Sequence, residues 1–418
     1  MSIVELEAQI DLVSQDIERQ KQVLKTLETD KSLLQRQLNA VRDPIGRLPV
    51  EISSEIFVQC LPPHPSPGAD SAPMLLRNVC NTWTRIAQST PALWTTIHLE
   101  MPRADGFEQL LEQWFQYAGK GLLNVYTTGT LDDGVARAIC HHSSHLARLD
   151  VSIGSRDKDE EDYDDPITML DLASTQLTLL PVLRTLAIHG DDDVEFRLRP
   201  ILQLLRRSPN LVALEVEDIL LEEEDEADDT HVLSNLRRLS LNSSAYTILG
   251  CISAPRLEFI NLDGLLANNS EEVISFLQQS SLSLQTLRIG NPIQIPAVHD
   301  ILPLLPSVTH VEFGYMGGRH IVQELFTTVL APAAILPNLK SLHFTHLIND
   351  PPWDAILQVL SARRARIRSV RLAIGYESAE SGISIPADAL TVLKELAAGG
   401  VDIWVGTKTR TLFHVSRE

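Results

Sequence analysis

From Ile3 to Val41 the apolar residues step by three and four without a break in phase. The seam runs Ile3, Leu6, Ile10, Val13, Ile17, Gln20, Leu24, Leu27, Lys31, Leu34, Leu38 and Val41, and only Gln20 and Lys31 are polar. With no glycine or proline before Pro44, this heptad pattern predicts one long helix over residues 1–42. Its apolar stripe demands cover from another helix. Three covers are open: a second copy, giving a homodimer through residues 3–41; a helix of another protein; or the rest of this chain. In a parallel pair Asp16 and Lys21 would meet across the seam. Asp43-Pro44-Ile45-Gly46 stops the helix, because Pro44 disfavours helical backbone at Asp43 and Gly46 frees the turn.

The period then shortens into two compact helical stretches. Pro49 suits a first helical turn, with Glu51 beside the positive end, and Ile52, Ile56, Phe57 and Cys60 form one stripe. Pro62-Pro63-His64-Pro65-Ser66-Pro67-Gly68 excludes both helix and strand. Leu76, Val79, Cys80, Trp83, Ile86 and Ala87 follow helical spacing and predict a second, continuous helix that Pro91 ends. Leu93 and Trp94 turn in beneath it, and Thr95 to Leu99 alternate like a strand.

Beyond residue 99 a new pattern governs. Leu146-x-x-Leu149-x-Val151 recurs with leading residues Leu183, Leu211, Leu236, Leu257, Leu284, Val308, Leu339 and Ile367, spaced 21 to 37 residues apart. Most intervals approach the period of leucine-rich repeats, whose unit is one strand and one helix. Pro181, Pro209, Pro255, Pro306 and Pro337 precede several of the segments. Helical spacing appears between them over 200–207, 271–279, 321–330, 354–360 and 387–397, and earlier over 106–118 before a strand at 122–126. Such units stack because none buries its apolar face alone. The asparagine that usually follows the strand is missing at every segment, so the repeat is expected to be irregular.

Composition narrows the chemistry. A net charge of −20 and a pI near 5.0 disfavour a nucleic-acid partner, whose phosphates need a basic stripe. Four scattered cysteines suggest neither a zinc cage nor a disulfide framework, and fit a reducing intracellular compartment, cytoplasmic or nuclear. No apolar run is long enough for a membrane helix, and no signal peptide is expected. The acidic runs 157–165 and 222–229 read as solvated insertions, with attraction of a basic partner the alternative. Arg363-Arg364-x-Arg366-x-Arg368 reads as a helix end complementing the dipole. Gly314-Tyr315-Met316-Gly317-Gly318 lacks the Lys-Ser/Thr of a phosphate loop, and Cys140-His141-His142-x-x-His145 has no second ligand cluster. No catalytic residues, metal ligands or cofactors are expected.

One stretch carries a family resemblance. Leu48-Pro49-x-Glu51-Ile52-x-x-x-Ile56-Phe57, then Val79-Cys80-x-x-Trp83-x-x-Ile86-Ala87, then Leu93-Trp94 resembles the F-box motif. Thr90 to Ile97 is similar to F-box proteins of mushroom-forming fungi, although the Pro62–Pro73 loop is longer than the family's usual turn. The resemblance implies docking on a Skp-family adaptor, and through it a cullin, by Leu48, Pro49, Ile52, Ile56, Phe57, Leu76, Val79, Cys80 and Trp83. It implies a substrate receptor of a ubiquitin ligase acting in protein degradation, with an unknown protein substrate. The alternative is a leucine-rich-repeat scaffold oligomerised by its coiled coil. The expected fold class is α/β: a coiled-coil helix (1–42), a small all-helical F-box (43–99), and an irregular leucine-rich-repeat solenoid (100–418), strands concave and helices convex.

Overall fold

The structure, a computed structural model, describes residues 3–101, 107–129, 133–152, 179–190, 195–222, 230–291, 293–315, 318–375, 384–407 and 410–416. The chain is mixed α/β with a long N-terminal helix and a large, mostly parallel sheet. By internal contacts it forms two units, one of residues 1–99 with 105–125, the other of 100–104 with 126–418.

The first unit contains α1 (Ile3–Arg42), α2 (Val50–Gln59), α3 (Met74–Val79), α4 (Asn81–Gln88) and α5 (Phe107–Ala118). Strands β1 (Thr96–Glu100) and β2 (Leu123–Thr128) begin in it. Asp43, just past α1, is its hub. One carboxylate oxygen accepts the Ile45 amide (2.9 Å) and the Trp83 indole N–H (2.8 Å), and the other accepts the Gly46 amide (3.0 Å). A Cβ on Gly46 would stand 2.8 Å from that second oxygen, so a larger residue there would push the Asp43 carboxylate aside.

The single helix expected over Leu76–Ala87 is two. Cys80 is extended (φ −159°, ψ 171°) and separates α3 from α4. The break frees carbonyls that need donors. Thr84 donates to Arg77 (2.6 Å) and Cys80 (2.9 Å), and two α1 side chains complete the set. Arg36 reaches the Arg77 carbonyl (3.4 Å) and the Thr84 hydroxyl (2.9 Å), and Asn39 reaches the Val79 carbonyl (3.0 Å). Helical periodicity survives such a break because apolar spacing is kept on both sides; beside the local Thr84, the donors that stabilise it come from 40 and 41 residues away. The proline loop is tied down as well, since the Pro65 carbonyl accepts the His98 amide at 2.7 Å.

The second unit opens with α6 (Asp133–His141) and β3 (Leu146–Ser152). Then come β4 (Thr185–His189), β5 (Glu195–Arg197), β6 (Ala213–Glu217), β7 (Leu220–Glu222), β8 (His231–Val232), β9 (Arg238–Asn242), β10 (Ile252–Ser253) and β11 (Phe259–Asp263). The series ends with β12 (Thr286–Ile289), β13 (His310–Tyr315), β14 (Ser341–Leu347), β15 (Ser369–Ile374), β16 (Asp402–Gly406) and β17 (Thr411–Val415). Strands β3-β4-β6-β9-β11-β12-β13-β14-β15-β16 lie side by side in chain order and in parallel, and β17 closes antiparallel on β16. The short strands β5 with β7 and β8 with β10 pair separately.

Each L-x-x-L-x-L segment supplies one of these parallel strands, and its last two apolar residues are buried: Leu149 and Val151, Leu186 and Ile188, through to Val370 and Leu372. Helices at Leu198–Arg206, Ser270–Ser280, Trp353–Ala362 and Ala387–Ala398 fall between strands as the periodicity predicts. The helix at Ile295–Ile301 and the strands β16 and β17 are not marked by it. Past Arg319–Glu324 the backbone widens into a π turn over Leu325–Val329.

In place of the missing asparagine ladder after the strand there is one before it. Asn210 donates to the Pro181 carbonyl (2.7 Å), Asn235 to Pro209 (3.1 Å), Ser283 to Pro255 (3.2 Å), Asn338 to Pro306 (2.9 Å) and Arg366 to Pro337 (2.9 Å). The prolines visible in the sequence are therefore the acceptors of a side-chain ladder that joins successive turns. The acidic run 157–165 and residues 223–229 of the other lie outside the described residues. Among the described residues no helix is long and apolar enough to cross a membrane.

Candidate functional site

The residues that the F-box resemblance selects separate by exposure. Leu48 (41% exposed), Ile52 (51%) and Ile56 (38%) present apolar surface, and Pro49 is exposed beside them in sequence. Val79 and Trp83 are half-buried. Phe57, Leu76 and Cys80 are buried. The buried side of α2 is held by Phe57 against the Trp83 ring (centroids 4.9 Å apart), while Asp43 fixes the Trp83 indole. Ser53, fully buried, donates to the Ile45 and Pro49 carbonyls and locks the start of α2 to the preceding turn. Ile52 and Ile56, one turn apart, thus sit on a helix whose orientation is set from behind. Val50 and Leu75 are further exposed apolar residues that the motif does not mark. Their signal is an apolar residue one step off the stripe, where a solvated helix would carry a polar one.

The second unit offers a polar surface. Between the two buried apolar residues of each segment, and of β16, stands a residue of the opposite sheet face; strand register aligns these in one row, of which Ala187 and Asn261 are themselves buried. The row reads Asp150, Ala187, Glu215, Ser240, Asn261, Arg288, Glu312, His343, Arg371 and Trp404. Asp150 and Glu215 make its β3–β6 end acidic, while toward β12–β15 the signs mix: Arg288 pairs with Glu312 (3.3 Å), and burial, and after it Arg371, holds His343 below its ordinary pKa.

The acidic end is a connected network. The Asp150 carboxylate accepts from Arg148 (2.9 Å), and the His189 ring nitrogens lie 3.6 Å from Asp150 and 4.0 Å from Glu217. The Ser240 hydroxyl donates to Glu217 (2.7 Å), and the Asn261 amide donates to the Ser240 oxygen (2.8 Å). Ligand-capable atoms of His189, Glu215 and Glu217 lie within 4.8 Å of one another. One divalent cation could share them, but partly exposed acidic groups commonly gather without one, so the donor set does not itself call for a metal.

Burial, and after it the neighbouring Glu217, holds the Glu215 carboxyl above its ordinary value. The folded chain therefore binds this proton more tightly than the unfolded chain. Stability falls as pH rises from the unfolded pKa through the raised folded one, and the deficit is complete above both. Glu215→Gln is expected to raise the melting temperature at pH 7.5 and to have a smaller effect at pH 4. Calorimetry at the two pH values checks the difference, and an equal effect at both contradicts the assignment.

No protein-family model matches the chain, and no curated protein aligns with it at a significant level.

Proposed function

We propose that the chain is the substrate-receptor subunit of a Skp–cullin–F-box ubiquitin ligase. It is a binding module that performs no chemistry of its own. The observation that carries this reading is the exposed apolar surface of Ile52 and Ile56 on a helix braced from behind by Phe57, Trp83 and Asp43, with exposed Leu48 just ahead of it. A small helical unit that holds apolar side chains rigidly in solvent is built to bury them against a partner. The Skp-family adaptor is the partner that the Leu48-Pro49, Val79-Cys80-x-x-Trp83 and Leu93-Trp94 signatures point to. The repeat domain, read as a leucine-rich-repeat solenoid, would present its polar row to the protein substrate. The acidic end of that row, Asp150 and Glu215, favours a substrate segment that carries basic residues.

The exposed seam of α1 also suits the alternative, a repeat scaffold oligomerised by its coiled coil. Affinity capture separates the two readings. Full-length protein is expected to retain a Skp-family adaptor, and Ile52→Asp is expected to release it. Failure of the unmutated chain to capture the adaptor leaves the scaffold reading.

A further inference from the structure

The unit's own contacts grip α1 on the side away from its seam. Arg36 and Asn39, which reach the carbonyls around the α3–α4 break, occupy outer positions of the heptad. The seam itself stays in solvent, with Leu34 65% and Val41 83% exposed, and Ile10, Ile17, Leu24 and Leu27 also exposed. Among the described residues of the first unit none covers these seam side chains.

We infer that the seam is covered by a second copy of this chain, running antiparallel. Two features of α1 select that arrangement over a parallel pair. The first is where the polar interruptions fall. In a parallel pair each seam residue faces its own image, so the two Lys31 ammonium groups share one layer and repel. In an antiparallel pair centred between Leu24 and Leu27, Lys31 faces Gln20 of the second copy, whose amide oxygen can accept from the ammonium. Every other layer in the overlap then joins apolar to apolar: Leu24 with Leu27, Ile17 with Leu34, Val13 with Leu38, Ile10 with Val41. The second feature is charge. The half 3–22 holds five acidic and two basic residues, and the half 23–42 holds four basic and two acidic ones. A parallel pair sets like halves together, whereas an antiparallel pair sets the acidic half against the basic one. This pairing does not depend on what the Leu48–Ile56 patch binds, so it stands or falls separately from the adaptor reading.

The geometry predicts a distance. Arg42 lies opposite Gln9 of the second copy, 33 residues from that copy's own Arg42. At ~1.5 Å rise per residue this is about 50 Å, against under about 20 Å for a parallel pair. The test uses the full-length chain with the exposed Cys60 changed to serine. Cys80 and Cys251 are buried, and burial pushes the Cys140 thiol up to about 11, so an introduced surface cysteine reacts first. Light scattering is expected to show a dimer that Leu24→Asp with Leu27→Asp converts to monomer. Spin labels at Arg42→Cys are expected to report the long distance. Ile10→Cys and Val41→Cys chains are expected to cross-link when mixed and not when alone. A monomeric unmutated chain, a short Arg42 distance or cross-linking of Ile10→Cys with itself overturns the inference.

Discussion

Trp94→Ala is expected to destabilise the first unit by about 3–5 kcal/mol, the range for emptying a buried tryptophan site. Trp94 is fully buried, meets the Trp114 ring edge-on at 4.9 Å and lies 4.9 Å from the Tyr117 ring. Its indole N–H donates to the Ala87 carbonyl at 2.8 Å, satisfying an acceptor in the last turn of α4. The substitution therefore opens a cavity between α4 and α5 and leaves the Ala87 carbonyl only its longer bond from the Thr90 amide (3.3 Å). Trp94→Phe keeps much of the apolar area but loses the donor, and is expected to recover more than half of the loss. Denaturant unfolding measures the size of the effect, and hydrogen exchange is expected to place it in the amides of α4 and α5. A loss below about 1 kcal/mol for the alanine variant would mean that Trp94 does not anchor the unit.

Arg363→Ala carries the second large effect, about 2–4 kcal/mol, because it removes the donor to the Leu330 and Ile335 carbonyls and leaves those of Pro332 and Leu336 only a backbone amide each. Arg363 follows the helix Trp353–Ala362, and it is buried in the second unit. It donates to the carbonyls of Leu330 (2.8 Å), Pro332 (2.9 Å), Ile335 (2.8 Å) and Leu336 (3.2 Å). The stretch from Leu330 to Pro337 has two prolines, which lack N–H groups, and Leu336 at φ 48°, so its carbonyls outnumber its backbone donors. One planar five-donor group supplies what the backbone cannot. Arg363→Lys keeps the charge but not the fork, and is expected to remain well below the unmutated protein in thermal melts. Full recovery by lysine would mean that charge rather than donor geometry matters.

Arg363 also marks the limit of what the sequence discloses. Local periodicity puts it at a helix end, and it does follow one, but its role is to donate to a loop about 30 residues earlier, which no local pattern encodes. The same division holds elsewhere. Leu149 and Val151 or Leu239 and Leu241 announce their burial through spacing alone, because a strand buries alternate residues. The row from Asp150 to Arg371 is likewise legible once those leucines are aligned, whereas Trp404, on the unmarked β16, is not. The convergence of His189, Glu215 and Glu217 is not, since it depends on which strands become neighbours. In the first unit the apolar stripe of α2 is visible, but its division into exposed Ile52 and Ile56 and buried Phe57 is not. That division is set by Trp83 and Asp43, which reach it from other segments. The break at Cys80 is hidden for the same reason, because the side chains that satisfy it lie on α1.

The central claim is that the exposed apolar patch of α2 docks a Skp-family adaptor while its buried partners only hold it in place. Titration calorimetry of the full-length chain with that adaptor, run beside thermal melts, tests this most directly. The expected result is that Ile56→Asp weakens binding by about 100-fold or more with its melting temperature unchanged, since the new carboxylate would be buried without a partner only in the complex. Phe57→Ala is expected to lower both affinity and melting temperature. Undiminished adaptor binding by the folded Ile56→Asp chain, or no binding by the unmutated one, would contradict the account.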